Sequence, residues 1–397
     1  MPSALRLCAM CAAVSCRAYH EGRLPNPERM IIMSDQLVTR HRGFWDRAEV
    51  AKPLCDYFVG GLFPLALFKD GIIEGLLEPA HIIPEAFDDY HRRMGFFVPS
   101  HGHLLETVVP FTTIPWMEAI LGCPVTVSTS SNSMSSRVFI YRLEDLDRIR
   151  GSALDPENPW LKKLLEYQRF LVQSFGSERP VGHTILRGPA DMAAAALGAD
   201  RMVYELHDHP RRMEELLRIC SDVWLNTVRK LSEIMPPYQG GYFSYRLIHS
   251  PGPSPVLQED SAAILSPSLY RDFVLPEDER ILASFPYAFY HTHSSSMRIL
   301  LDPLLSCPGV KVIDSTWDLP PFGPPVETLL PSYHRIQAAG KALYIVAVGD
   351  FADKDLMILR ELSPRGLCIF FQARDHATGQ RLAALIDRTW GSSQPSG

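Results

Sequence analysis

From residue 181 onward the chain repeats one pattern: a short apolar run, a polar turn, then a longer segment with apolar residues at helical spacing. Residues 181–186, 242–245, the run from 285 to the His291/His293 pair, 310–314, 343–348 and 367–371 read as strands. Residues 191–197, 210–235, 266–284, 326–339, 353–362 and 379–390 read as helices. Strands that are apolar along their length are buried on both faces, the condition of parallel β-structure covered by helices. The alternation therefore predicts an α/β fold of parallel strands. Its count favours a single closed (β/α)8 barrel over an open sheet. No strand is followed by the G-x-G-x-x-G turn of a dinucleotide-binding crevice. A chain of 397 residues accommodates one such barrel, expected over residues 34–397.

Chemistry in such a barrel gathers at the C-terminal ends of the strands. There the sequence places Arg187, the stretch 245–249, His291 and His293, Asp314 with Asp318 beyond it, Gly349-Asp350, and Gln372 with Arg374. Residues i and i+2 of a strand share a face, so His291 and His293 are expected side by side. Two imidazoles supply half of a metal site. Asp260 is the candidate third ligand and Glu259 the candidate catalytic base. Asp314 is a candidate for proton transfer or for orienting a ligand. Arg187 suits a substrate carboxylate, and Tyr245, His249 and Gln372 are further candidate substrate contacts. Histidine and oxygen donors suit Zn2+, or copper or iron if the chemistry is redox. The plain alternative is a pair of loop histidines beside a solvated acidic turn. A second H-x-H, His101-Gly102-His103, sits among Ser and Gly and reads as a loop pair.

Upstream, 40–46 reads as an amphipathic helix, 53–68 as an early strand and 79–95 as a helix. Pro115 suits the first turn of a short helix and Gly122 its C-terminal cap, 126–136 reads as a Ser/Thr-rich loop, and 160–175 as a helix. Residues 1–33 differ in character and are expected to be a disordered or spurious leader. The location is then cytoplasmic, or mitochondrial if the leader is a working presequence. The net charge of −6 argues against a nucleic-acid partner. No apolar run is long enough to span a membrane. Eight scattered cysteines imply no disulfide framework.

The order of elements resembles the uroporphyrinogen decarboxylase superfamily, which includes the corrinoid-linked methyltransferases. The resemblance runs from about residue 40 to 390. It is carried by His207-Asp208-His209-Pro210-Arg211-Arg212-Met213, by Leu265-Ser266-Pro267-Ser268-Leu269-Tyr270 with Phe273, Leu275 and Pro276, and by the His291 strand. It implies a (β/α)8 barrel, a small-molecule substrate and a pairing tendency compatible with a homodimer. The Arg-Gln-Ala-Gly-Arg-Tyr block that holds porphyrinogen carboxylates in the decarboxylases has no counterpart here. The methyltransferase branch binds zinc through His-x-Cys and a last-strand Cys, where this chain has His291-x-His293 and Gln372. The resemblance thus implies a metal-dependent enzyme of C1 transfer or metal-centred oxidation. A metal-free decarboxylase and a non-catalytic ligand-binding barrel are the alternatives.

Overall fold

The computed structural model describes residues 33–59, 74–93, 98–128, 133–318, 323–349 and 353–391. The expected leader, most of the expected 53–68 strand beyond Val59, and Asp350 lie outside these residues. Ten strands are present: β1 (Leu54–Val59), β2 (Gly75–Leu77), β3 (Val125–Ser128), β4 (Ser133–Ser136), β5 (Leu186–Arg187), β6 (Val256–Gln258), β7 (Phe289–His293), β8 (Val312–Trp317), β9 (Ala342–Ala347) and β10 (Leu367–Ala373).

Seven of them form one parallel sheet in the order β1-β10-β9-β8-β7-β6-β5. Most neighbours are successive strands of the chain, and the first is paired with the last. Alternation gives this sheet two apolar faces. Tyr57, Leu257, Tyr290, Ile313 and Phe371 point outward and join the large core beneath the helices. Phe58, Val256, Phe289, Val312, Tyr344 and Phe370 point inward and form a second core. The longest helix, Pro210–Ile234, shows how the outer layer is made. Proline opens it, where its missing N–H costs nothing. Met213, Leu216, Leu217, Cys220, Val223, Trp224 and Val228 recur at helical spacing and are all buried.

The expected closed barrel is not fully laddered. Among the described residues no strand pairs β5 with β1. Two other devices span the seam. Val108 makes a parallel bridge to Val181. On β1, the buried carboxylate of Asp56 accepts six backbone N–H groups, from Tyr57, Ser100 and His101 on Oδ1 and from Gly102, His103 and Leu104 on Oδ2, at 2.6–3.0 Å. A loop that lacks a strand partner thereby has its donors satisfied by one side chain.

Other expectations need correction. The 126–136 loop is instead β3 and β4, which pair antiparallel with β2 in a separate three-stranded sheet. Serine's weak strand preference is overridden there by pairing. No strand ladder covers 242–245, where only single bridges occur, and the sheet position is taken by β6. The 79–95 helix is two 3-10 turns, Pro79–His81 and Pro84–Phe87, before a short helix Asp88–Arg93. The 266–284 helix contains a π-helical turn at Tyr270–Val274 before the helix Leu275–Ser284. Pro276 has no N–H to continue the ladder, which accounts for the widened turn. A helix not expected, Ala199–Asp208, follows Gly198, whose φ of 93° suits only glycine. No described helix is long and apolar enough to cross a membrane.

Candidate metal centre

β7 carries the arrangement that the H-x-H spacing predicts. Phe289, His291 and His293 share the inner face, and Tyr290 faces the opposite core. Register places His291 between Gln258 on β6 and Asp314 on β8. The two rings are 5.3 Å apart and nearly perpendicular.

Each histidine is held from behind by a carboxylate. His291 Nδ1 is 2.9 Å from Asp314 Oδ2, and His293 Nδ1 is 2.7 Å from Asp318 Oδ1. Asp318 is fixed in turn by the serines after β7. Ser294 and Ser295 hydroxyls and the Ser295 N–H donate to its Oδ2, and its own N–H donates to Ser294 Oγ. Both Nε2 atoms face Asp260 Oδ1, each at 3.6 Å. That is too long for a hydrogen bond. It is close to the roughly 3.4 Å that separates two ligands of a tetrahedral ion with bonds of about 2.1 Å. The Gln258 amide donates to Asp260 Oδ2 at 2.6 Å and fixes the carboxylate. Its Oδ1 is buried and has no hydrogen-bond donor among the described residues.

The electrostatics follow from this packing. Burial pushes the Asp260 carboxyl up, but His293, His291, Gln258 and Arg187 together hold it below its ordinary value. Burial pushes His293 down, and Asp260 and Asp318 more than reverse this, lifting it to about 9. Asp191, at the start of the helix Pro189–Leu197, is raised to about 7 by burial and by the charge of Asp260. Its Oδ1 accepts the Ser261 N–H, and its Oδ2 has no donor among the described residues. Sequence reading took Asp191 only as a helix start.

The remaining expected residues divide. Arg187 pairs with Gln258 across the β5–β6 ladder and lies at the rim, with 37% of its side chain exposed. Glu118, buried in the short helix Trp116–Leu121, accepts its guanidinium at 2.7 Å. Glu259, the expected base, points away from the cluster. Adjacent residues of an extended segment face opposite ways, and its carboxylate accepts the N–H groups of Ala190 and Asp191 beneath their helix. Burial, with Asp278 and Asp191 alongside, pushes it well above the ordinary value. A side chain at Gly188 would collide with this carboxylate. His249 lies with the first helix, Asp35–Trp45: its N–H donates to His41 Nδ1 and its carbonyl accepts from Trp45 Nε1. Gln372 accepts the Gly349 N–H at the end of β10. Tyr245 adjoins the cluster, where the charges of Asp314 and Asp260 act on its hydroxyl. Its ring lies 4.6 Å from the guanidinium of Arg246, which is buried on the inner face of the sheet and donates to Asp314 Oδ2 at 2.6 Å. Sequence reading included Arg246 only within the strand-end stretch 245–249 and gave it no role of its own.

The second histidine pair also gathers an acid: His101, His103 and Asp387 bring ligand atoms within 4.8 Å. It borders a cleft of about 410 Å3 that Arg40 and Lys52 also line. His103 Nδ1 accepts the Cys55 N–H and lies 3.3 Å from the Arg40 guanidinium. Burial, Arg40 and His101 lower His103 to about 4. The Cys55 N–H thus already takes the Nδ1 lone pair of His103, whereas both Nε2 atoms of the β7 pair face a carboxylate oxygen with no donor among the described residues.

Comparison with known proteins separates fold from function. No family model matches the chain. No curated protein matches it either. A solved methyltransferase from Methanosarcina mazei matches over 89% of this chain and 98% of its own, with a TM-score of 0.56 and 15% identity. The chain therefore has a methyltransferase-like α/β fold. A methylaspartate ammonia lyase from Clostridium tetanomorphum also matches, at a TM-score of 0.34 and 9% identity over 62% of this chain and 55% of its own, too slight a likeness to carry an argument.

Proposed function

We propose that this chain is a (β/α)8 barrel of the uroporphyrinogen decarboxylase superfamily, and that it is a metal-dependent enzyme of methyl or other C1 transfer on a small carboxylate-bearing substrate. The segment around Val108 supplies the eighth barrel position. The strand order and the methyltransferase neighbour support this reading. One observation carries it: two imidazoles, each backed by a carboxylate, turn their Nε2 atoms on a buried carboxylate oxygen that has no donor among the described residues. The donor set fits a divalent cation. His291, His293 and Asp260 would hold it, and Asp314 and Asp318 would fix the rings. Once bound, the ion supplies Lewis acidity toward a substrate heteroatom.

The chain's own residues do the rest. Arg187, held in place by Glu118, pairs with the substrate carboxylate. Asp191, with its value near neutrality, gives or takes a proton beside Asp260. The inner apolar core beneath the histidines keeps water from the rings' lower side.

A second reading has a specific observation behind it. The set contains two histidines, one carboxylate and no sulfur, which is the donor pattern of non-haem iron oxidation. The choice is tested by elemental analysis of protein purified without chelator, and by adding mercaptoacetate to Co2+-loaded protein. A thiolate-to-cobalt band in the near ultraviolet supports C1 transfer to or from sulfur. Iron as the resident metal, with no such band, supports oxidation.

Two further outcomes are expected. In the metal-free protein His293 keeps its second proton up to about pH 9. An incoming ion must displace that proton. Apparent affinity should therefore rise about tenfold per pH unit below that value and level off above it. Competition titrations with a chromophoric chelator across this range would measure the slope, and a flat profile would refute the assignment of His293. In a thermal-shift screen of small carboxylates with metal present, Arg187→Ala should weaken binding of any hit about tenfold or more. Hits that survive the substitution unchanged would remove Arg187 from substrate binding.

A further inference from the structure

We infer that Arg246 is a positioning residue that sets which nitrogen of His291 carries the proton, and thereby restrains metal binding at the β7 cluster. The inference rests on the metal reading above, and extends it to a residue outside the ligand set.

Arg246 is buried deep inside the sheet, between the rings of Tyr245 and Tyr344, at 4.6 and 5.7 Å. Its backbone is held for this purpose. The Leu247 N–H donates to Ser244 O in a tight turn, and Leu247 takes a φ of 65°, which a side-chain-bearing residue adopts only under constraint. The Tyr344 hydroxyl donates to the Arg246 carbonyl at 3.0 Å. The guanidinium then forks. Its Nε donates to Asp314 Oδ2 at 2.6 Å, and its Nη2 stands 2.9 Å from His291 Nδ1. His291 Nδ1 is also 2.9 Å from the same Asp314 oxygen.

These contacts compete. A guanidinium only donates, and an ionised carboxylate only accepts. If Nδ1 accepts from Arg246, the ring proton is on Nε2, which then has no lone pair to offer toward Asp260. If Nδ1 donates to Asp314, Nε2 is free to ligate. His293 faces no such choice among the described residues: its Nδ1 meets Asp318 Oδ1 at 2.7 Å, and the serines hold that carboxylate from behind. Arg246 thus favours the metal-free tautomer of one ligand, and its charge draws on the carboxylate that the other tautomer needs. The site is built to bind its ion with a restraint that the removal of one N–H arm would lift.

Arg246→Lys tests this, because lysine can keep the ion pair to Asp314 without presenting a second arm to the ring. Nitrogen chemical shifts of the histidines in metal-free protein read the tautomer directly. The parent is expected to hold His291 protonated on Nε2, and Arg246→Lys to move the proton to Nδ1. Zinc affinity of the variant is expected to rise at least about tenfold, within the range by which groups behind a ligand tune metal sites. Thermal denaturation of the metal-free variant checks that it folds, and Arg246→Gln serves as the second variant if lysine does not. A parent already protonated on Nδ1, or a folded variant with unchanged or weaker affinity, overturns the inference. A parent that shows the expected tautomer but takes up no metal leaves Arg246's effect on the ring standing and removes the metal reading instead.

Discussion

Replacing His291 and His293 together with alanine should take the protein from about one bound divalent ion per chain to none. The reasoning is geometric. Both Nε2 atoms face Asp260 Oδ1, so the double substitution leaves a single carboxylate where three donors converged. The fold should survive, because the groups behind the rings keep other partners. Asp314 retains Arg246, and Asp318 retains Ser294 and Ser295. Circular dichroism and chain dimensions should match those of the parent. The control is His101→Ala with His103→Ala, which should leave metal content unchanged, since the Cys55 N–H and Arg40 already occupy His103 Nδ1 and Asp387 pairs with His101 Nε2. Elemental analysis after reconstitution decides the matter. A parent that stays empty refutes the metal centre. Retention by the β7 variant and loss by the other would move the site to the opposite pair.

The second large effect concerns the seam. Asp56→Asn should destabilise the protein by about 4 kcal/mol or more, at the upper end for one substitution. Bonds to a charged acceptor contribute about 1.5–3 kcal/mol each, and a buried donor left without a partner costs more than the bond was worth. The carboxylate accepts three N–H groups on each oxygen. An amide keeps one acceptor oxygen and turns two hydrogens against the other three donors. Burial pushes the Asp56 carboxyl up and the N–H groups pull it down. Only the ionised form satisfies all six. A urea midpoint shifted by less than about 1 kcal/mol equivalent would show that water can replace the side chain. Hydrogen exchange gives a local check: the amides of 100–104 should be protected in the parent, although no regular strand contains them, and exchange freely in the variant.

The placing of the β7 side chains was legible in the sequence to the extent that it depends on alternation. His291 and His293 share a face because strand geometry requires it, and Asp260 was one of two adjacent carboxylates, with Glu259, that precede the next helix. The same alternation, applied one residue earlier, would have turned Glu259 outward. That error came from treating a dipeptide as a unit. Arg246 was illegible for a different reason. Its place on the inner face of the sheet depends on a turn at Leu247 whose positive φ no sequence signal marks, and it leaves from a segment that reads as an ordinary strand. Asp191 was hidden because an acidic residue in a first helical turn is explained by the helix dipole alone. The outer fold was read well where helices carry long apolar stripes. It was read poorly where pairing overrides propensity, as in Ser133–Ser136.

The pairing of β1 with β10 has a consequence for how the chain comes into being. Leu54 lies opposite Cys368, so nearly the whole polypeptide must emerge from the ribosome before that ladder can form. The other ladders of the sheet join strands that follow one another in synthesis. Contacts this distant in sequence close slowly and leave an unpaired edge in the meantime. During that wait the first strand has one early partner within reach, the loop that Asp56 gathers. The nest belongs to the seam side and persists beside the finished ladder, so the nascent first strand waits with one open edge rather than two.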